Sequence, residues 1–556
     1  MAWHVDLEYD SYETARESFA WDIPDDYNLV EDLLRKHEDT DAPALHQRYP
    51  DGRERTDSFA DLDDRSDRVA NALADRGVER GDTVAIVLPQ VPANPVTHLA
   101  CWKLGAVSLP LSVLFGPDAL ESRLDDSGAV AVVADADCRD AVTEAAAACD
   151  ALDHHVEVRW RGDTDSDDAA GVESFADLLE HPPAFDRVET TPDTPAIVMY
   201  TSGSTGPPKG VLHTHDVWVG HCPAFSMYFE LDTEGTFWTP ADWAWIGALG
   251  DLLFPAWHYG QPVVGYPMGG FDAREAYDIM ETYGVTNAFL PPTAIRMLMN
   301  EDPDEWALSV EAICSGGEPL TPEILSWADE ELGGVPVNEL YGQTEANLLV
   351  TNCRRWFDAQ PGSMGKPVPG HEVAPVDPET GEPKPTGEIG ELAVKRELPN
   401  GRPDPVVFEE YLNRPEKTAA ATVEAADGGH WHLTGDLGSR DEDGYLWFKA
   451  RDDDVITTSG YRVGPGEVES AILEHPSVEQ VGVIGVPDEL RGEIIKAFVQ
   501  PVAGVDGDDA LREEIREMVR ENLAKYEYPR EIEFVDELPQ TTTGKIQRRK
   551  LRGSES

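Results

Sequence analysis

Between Tyr200 and Gly210 the chain gathers hydroxyls, glycines and a single lysine, a mixture suited to holding an anion. Thr201-Ser202-Gly203-Ser204-Thr205-Gly206-Pro207-Pro208-Lys209-Gly210 follows directly on a strand-like apolar run, Ala196 to Tyr200. Glycines let backbone N–H groups turn inward as a nest, hydroxyls add donors, and Lys209 supplies charge, which together suit a polyphosphate. The loop is not a Walker loop, because that needs Ser or Thr after the lysine and here Lys209 stands between Pro208 and Gly210. A plain surface turn would give no reason for the lysine, since only 12 of the 44 basic residues are lysine.

Further segments follow in a fixed order. They are Ser315-Gly316-Gly317-Glu318-Pro319-Leu320, Asn338-Glu339-Leu340-Tyr341-Gly342-Gln343-Thr344-Glu345 and Leu433-Thr434-Gly435-Asp436. Beyond these come Arg451-Asp452-Asp453-Asp454-Val455, Ser459-Gly460-Tyr461-Arg462-Val463-Gly464-Pro465 and Pro539-Gln540-Thr541-Thr542-Thr543-Gly544-Lys545-Ile546. With the loop at 201–210 they resemble, over nearly the whole chain, the signatures of the acyl-adenylate-forming superfamily. That superfamily includes acyl-CoA synthetases, firefly luciferase and peptide-synthetase adenylation domains.

The resemblance implies an acid–thiol ligase. A carboxylate attacks ATP to give acyl-AMP and pyrophosphate, and CoA then displaces AMP to give acyl-CoA. The implied nucleotide site comprises Thr201 to Gly206, Lys209, Gly317, Glu318, Pro319, Glu339, Leu340, Tyr341, Gly342, Gln343, Thr344, Asp436, Arg451, Arg462 and Lys545. Tyr341 offers a face for adenine and Asp436 an acceptor for both ribose hydroxyls. Thr344 touches the α-phosphate, and Glu345 holds Mg²⁺ between phosphate oxygens. Lys545 offsets the repulsion between carboxylate and α-phosphate as charge builds in the transition state. Thr344, Glu345 and Lys545 are thus the implied catalytic residues.

The likeness also implies a second conformation, in which a small domain turns about Asp453 to admit the thiol. Ala450 stands where the family usually has Gly before the arginine, here Arg451. Ser459, Gly460 and Arg520 correspond to CoA contacts, Arg520 by its fit to phosphate. Leu473, His475 and Val478 match a peripheral magnesium site, two of them through backbone carbonyls. Trp243, Trp245, Ile246, Gly247, Gly316 and Gly342 fall at acyl-pocket positions, where three glycines argue for an opened tunnel. With a C-terminal half resembling medium-chain acyl-CoA synthetases, this favours a short-to-medium-chain or branched carboxylate over acetate or propionate. The alternatives are an acetate or propionate ligase and an enzyme loading a separate carrier protein, since only eleven residues follow Lys545. A luciferase-like oxygenase and a nucleotide-binding regulator without chemistry are further from the pattern.

The elements that must position these residues alternate. Helical spacing at Ser66 to Arg76, strands at Thr83 to Leu88, Gly105 to Leu111 and Ala129 to Val133, and a helix ending at Lys103 predict a layered parallel α/β sheet. Asp150 to Pro195 is weakly patterned and reads as peripheral. A second α/β stretch has strands at Gln261 to Tyr266, Asn287 to Leu290 and one ending at Ile313, with a helix at Ala273 to Tyr283. Gly387 to Ala450 is β-rich. A compact C-terminal piece follows, with helices at Pro465 to Glu474 and Leu511 to Lys525 and strands near Val481 to Val486 and Ala497 to Val502. The expected fold class is α/β, a large N-terminal body of layered subdomains with a β-rich segment and a small mobile α+β domain. The expected division is 1–450 as the AMP-binding domain, 451–454 as hinge and 455–556 as the small domain carrying Lys545.

Composition sets the limits. The 556 residues are 41% hydrophobic, enough for real cores, yet 107 acidic residues against 44 basic give a net charge of −63. Such a surface repels nucleic acid and anionic membranes, so the expected partners are small molecules: ATP, a carboxylic acid and CoA. The acidic runs are spread along the chain and read as a solvated coat suited to a salt-rich cytoplasm. The six cysteines form no CxxC pair, which predicts neither disulfides nor a zinc site. The first ten residues lack a signal peptide's pattern, so a cytoplasmic enzyme is expected.

Overall fold

The computed structural model describes residues 3–37, 39–161, 171–201, 208–317, 320–451, 454, 456–458, 461–488, 492–502, 504–505, 507–523, 528–540 and 546–554. By internal contacts the chain forms two compact units. The first comprises 1–373, 394–422 and 429–432, and the second 374–393, 423–428 and 433–556.

The first unit carries two large sheets. One has eight strands in the order Glu410–Tyr411, Lys209–Thr214, Pro195–Thr201, Val107–Pro110, Thr83–Val87, Ala129–Asp135, His154–Val158 and Val172–Ser174. Its centre is parallel, as the alternation of strands and helices predicts, and every residue of Thr83–Val87 is buried. A parallel strand covered on both faces needs such a continuous apolar run. The weakly patterned stretch after Asp150 is not merely peripheral: His154–Val158 extends the sheet beside Ala129–Asp135. The helix expected from Ser66 begins at Phe59, because Ser58 and Asp61 form a reciprocal capping box.

The second sheet of this unit has nine strands. Its order is Lys366–Pro367, Ala346–Thr351, Val337–Gln343, Ala312–Gly316, Asn287–Phe289, Phe237–Trp238, Val263–Gly265, Pro43–Arg48 and Glu54–Ser58. The strand expected to end at Ile313 continues to Gly316, so a glycine expected at an acyl-pocket position is the strand's last residue. The helix Ala273–Tyr283 has the predicted bounds, with Asp272 as N-cap and left-handed Gly284 as C-cap.

The second unit holds most of a five-stranded sheet around His430–Arg440, which pairs antiparallel with Leu446–Arg451, and a C-terminal sheet built on Gly492–Pro501. Residues 433–450 cluster with this unit because His430–Arg440 pairs with Leu446–Arg451. The start of the helix Pro465–Leu473 is also set against that second strand: a Cβ on Gly464 would stand 2.3 Å from the Lys449 carbonyl oxygen. The helix Asp509–Asn522 is capped by the Asp508 side chain, and its Leu511, Ile515 and Val519 are buried with Val468 and Ile472. All six cysteines are free and buried. No helix among the described residues is long and apolar enough to cross a membrane.

Candidate active site

The phosphate-loop candidate is anchored by a strand pair. Pro195–Thr201 returns antiparallel as Lys209–Thr214, with Thr201 directly opposite Lys209. The loop therefore springs from a closed ladder. Ser202 to Gly206 lie outside the described residues. At its base the Thr201 Oγ1 is buried and, among the described residues, has no hydrogen-bond partner.

A second loop comes to the same place. Val337–Gln343 and Ala346–Thr351 form a hairpin whose two turn residues are Thr344 and Glu345. Neither has positive φ, so this is not a primed turn matched to strand twist. The mismatch is absorbed beside it, in a register break between Tyr341 and Gln343 and in Leu348 at φ 52°.

The turn is tied down from below. His213 Nε2 donates to the Thr344 carbonyl at 2.6 Å, and Phe408 N–H donates to the Glu345 carbonyl at 2.9 Å. Burial lowers His213 to about 4, so it stays neutral and keeps one ring nitrogen as donor. Above the turn, Lys209 Nζ lies 3.9 Å from Glu345 Oε1 and 4.2 Å from the centre of the Tyr411 ring. The Tyr411 hydroxyl donates to the same Glu345 oxygen at 2.8 Å. Lys209 and Glu345, 136 positions apart in sequence, thus form one mostly buried pair, with side-chain exposures of 21% and 13%.

The strand Ala312–Gly316 ends next to this hairpin, and Gly317 turns the chain at φ 90°, a conformation that favours glycine. Glu318 and Pro319 lie outside the described residues. Burial pushes the Glu339 carboxyl up to about 8, against a hydrogen bond from the Leu320 N–H that pulls the other way. Tyr341 and Gln343 are half-buried and share one strand face, while Leu340 points into the core.

The acyl-pocket glycines have a different reason for being there than the sequence suggested. A Cβ on Gly342 would stand 2.3 Å from the Leu348 backbone nitrogen, and one on Gly316 would stand 2.4 Å from Leu340 Cδ1. Both are close backbone or side-chain approaches, so glycine here does not report an enlarged tunnel. Gly247 is looser, with Phe289 ring atoms at 3.2 Å from the Cβ position. Trp243 is fully buried in the core, whereas Trp245 and Ile246 are half-buried.

In the second unit the segment expected to bind ribose is equally well built. The Thr434 hydroxyl donates to the Leu392 carbonyl at 2.7 Å and accepts from the Asp436 N–H at 3.1 Å. Gly435 between them has φ 72° and donates its N–H to Glu391. Asp436 is 4% exposed and pairs across the ladder with Arg451, whose Nε lies 3.9 Å from it. Arg462 pairs with Thr457 in a short hairpin. Arg520 stacks on the Tyr528 ring at 4.2 Å. His475 follows the helix holding Leu473; its Nδ1 accepts from Ser477 N–H, leaving Nε2 as the protonated nitrogen, 3.7 Å from Glu514. Its carbonyl accepts from Val478 N–H. Asp453, Ser459, Gly460 and Lys545 lie outside the described residues.

Comparison with known proteins decides the family. The model of the AMP-binding enzyme matches residues 34–399, and that of the AMP-binding enzyme C-terminal domain matches 467–545. The chain belongs to the AMP-binding enzyme family. Within it, the chain is 33% identical over 567 residues to the mitochondrial acyl-coenzyme A synthetase ACSM3 of Rattus norvegicus, covering 99% of this chain and 94% of that one. It is 36% identical to the acetyl-coenzyme A synthetase of Bacillus subtilis, over 90% of this chain and 85% of the relative. The crystal structure of the anthranilate CoA ligase AuaEII with anthranoyl-AMP superposes with a TM-score of 0.83 at 28% identity, covering 96% and 98% of the two chains. AMP-binding enzymes of this kind are ligases that work on small molecules, namely ATP, a carboxylate and CoA.

Sequence reasoning missed three members of the site. Tyr411 and Phe408 come from a segment with no chemical pattern, and Glu410–Tyr411 is a two-residue strand beside Lys209–Thr214. His213 was legible only as a polar residue inside an apolar strand, which is a signal for a buried donor.

Proposed function

We propose that this AMP-binding enzyme is an AMP-forming acyl-CoA synthetase acting on a short-to-medium-chain or branched carboxylate. The observation that carries the reading is the meeting of Lys209, from the phosphate loop, with Glu345, from the hairpin turn, across 3.9 Å. Each offsets the other's charge. A polyphosphate arriving at Lys209 takes over its charge and leaves the carboxylate in need of a cation.

The donor set fits Mg²⁺. Glu345 is a hard carboxylate ligand beside the proposed phosphate position, suited to an ion held jointly with nucleotide oxygens. Bound there, Mg²⁺ would screen phosphate charge. The chain's own residues do the rest. Tyr341 stacks on adenine, Asp436 accepts from the ribose hydroxyls, Arg451 and Arg462 contact ribose and phosphate, and Thr344 touches the α-phosphate. A carboxylate oxygen attacks the α-phosphorus, the bond to pyrophosphate breaks, and Lys545 steadies the charge of the transition state. The CoA sulfur then attacks the acyl carbonyl and AMP leaves. Rotation about Asp453, between a domain of 1–450 and one of 455–556, separates the two steps, with Ser459, Gly460 and Arg520 serving CoA.

The test is to mix acid, ATP, Mg²⁺ and CoA and follow AMP. AMP and acyl-CoA in equal amounts support the synthetase, while AMP release only with a carrier protein refutes it. Lys545→Ala should abolish adenylation and leave thiolysis of supplied acyl-AMP largely intact. Equal loss of both would refute the two-conformation scheme. Turnover of acetate as good as that of butyrate to octanoate would refute the chain-length preference.

A further inference from the structure

The proposed acyl wall carries a carboxyl group that adenylation and thiolysis do not use. Asp251 lies in the π-helical turn Leu249–Leu253, one turn after Gly247, and is 5% exposed. Its Oδ2 is 3.3 Å from where a Gly247 Cβ would stand, on the same side as the Phe289 ring. The main-chain carbonyl of Asp251 accepts from the Tyr228 hydroxyl at 2.8 Å. Among the described residues, no donor reaches its carboxyl oxygens. The nearest, His221 Nδ1, is 3.7 Å from Oδ1 and already donates to the Gly250 carbonyl at 2.7 Å.

Other aspartates of low exposure in this unit hold at least one partner, although among the described residues Asp57 Oδ2 has none. Asp32 takes Lys36 and His258, Asp57 takes Arg55, Asp404 takes His371, and Asp242, a few residues before Asp251, accepts from Ser112 Oγ and Ala244 N–H. Asp251 differs from them in holding nothing in place. A buried carboxyl without a partner costs stability that a leucine of similar size would not. Such a group is retained at a cost where something outside the protein completes it.

Its charge state narrows what that is. Burial holds Asp251 well above the usual carboxylate range, and burial also lowers His221 to about 3, so no imidazolium stands by to ionise it. Burial thus favours the neutral form of the Asp251 carboxyl, which offers one donor and one acceptor. The fitting complement is a group that both accepts and donates without charge.

We infer that Asp251 determines acyl specificity, and that the acid activated by this enzyme carries a hydroxyl, or an equivalent uncharged donor and acceptor, on the part of its skeleton remote from the reacting carboxylate. This rests on the proposed synthetase reading and sharpens it, from a plain chain to a substituted one. A site built to hydrogen-bond a substrate hydroxyl discriminates strongly against the analogue without it, because its own polar group is then left unpaired.

The experiment uses the full chain with ATP, Mg²⁺ and CoA, and compares butanoate, pentanoate and hexanoate with their 3-hydroxy and terminal hydroxy derivatives by AMP release. At one hydroxyl position the kcat/KM should exceed that of the parent acid by about tenfold or more. Asp251→Leu should erase that preference by lowering the hydroxy acid and raising the parent, and Asp251→Asn, which keeps a donor and an acceptor, should retain part of it. A wild-type enzyme that prefers the parent at every position overturns the inference whether or not either variant folds. So does a preference unchanged in folded Asp251→Leu. AMP from plain acids only sinks this inference and leaves the synthetase reading standing. No AMP from any acid of the panel sinks the reading itself.

Discussion

Tyr411 donates its hydroxyl hydrogen to Glu345 at 2.8 Å while its ring lies under the Lys209 ammonium at 4.2 Å. One side chain thus fixes both charged members of the site, by a hydrogen bond to one and a cation–π contact to the other. Tyr411→Phe keeps the ring and removes only the hydrogen bond. A hydrogen bond to a charged group is worth about 1.5–3 kcal/mol, so the carboxylate should lose its aim while Lys209 keeps its seat. The expected result is a several-fold rise in the Mg²⁺ concentration needed for half-maximal AMP formation, with the melting temperature nearly unchanged. An unaltered Mg²⁺ requirement would show that Tyr411 does not position Glu345.

Gly342 is held by backbone, not by cavity. With the Leu348 nitrogen 2.3 Å from its Cβ position, even Gly342→Ala forces the hairpin apart. Overpacking of this kind costs about 1–3 kcal/mol. Thermal unfolding should show a lowered midpoint for Gly342→Ala and a larger loss for Gly342→Trp. If instead Gly342→Trp melts like the wild type and turns over acetate selectively, the tunnel reading of this glycine is restored.

Asp454 sits next to the proposed hinge residue and receives Arg548 at 3.1 Å and Arg552 at 2.8 Å, while Arg548 also donates to both oxygens of Glu469. The basic run after Lys545 is therefore fastened to the start of the C-terminal sheet and is not a solvated tail. Removing one partner of such a mostly buried network leaves the others uncompensated, so Arg548→Ala should cut adenylation more than Arg549→Ala or Lys550→Ala. Arg548→Lys should rescue little, because lysine cannot span two carboxylates. Equal effects at 548, 549 and 550, read as kcat for acyl-AMP formation, would contradict this.

Asp216 precedes the buried helix Val217–Tyr228 and accepts from the Thr214 hydroxyl at 2.7 Å. Burial raises its carboxyl to about 7 from an ordinary 3.8. Between those values the folded protein keeps a proton that the unfolded chain releases, so stability from this group is complete below about pH 4 and falls as pH rises to about 7. Asp216→Asn removes the effect. The melting temperature of wild type minus that of Asp216→Asn should decline across pH 4 to 7. A difference that rises over this range would mean the carboxylate is ionised in the fold.

With a net charge of −63, the surface repels itself and every anionic substrate at low ionic strength. Activity should climb with KCl through a range that inhibits relatives of ordinary charge. Maximal turnover in salt-free buffer would refute the reading of the acidic coat as an adaptation to salt.

The motifs were legible because their residues are contiguous. Thr201 to Gly210 and Asn338 to Glu345 each occupy one loop or hairpin, so order and identity suffice. What sequence could not show is what lies across from them. Glu345 meets Tyr411 and Lys209 through sheet neighbours separated by 66 and 136 residues, and no local periodicity encodes such a pair. Glycine was the most misleading residue type. Absence of a side chain reads as open space, yet at Gly342 and Gly316 neighbouring atoms already occupy it. Periodicity served best where burial alone decides, as in Ala273–Tyr283 and the Leu511, Ile515, Val519 face. It failed at Ser58, where a cap rather than an apolar stripe sets the helix start.

The pairing of Thr201 with Lys209 closes the phosphate loop at its root. A cross-strand pair fixes the lysine by its own ladder, whatever the seven residues between are doing. Lengthening or recoding that insert therefore leaves the cation where it is, and the proposed phosphate-binding charge and the proposed nucleotide loop become separately tunable parts of the chain.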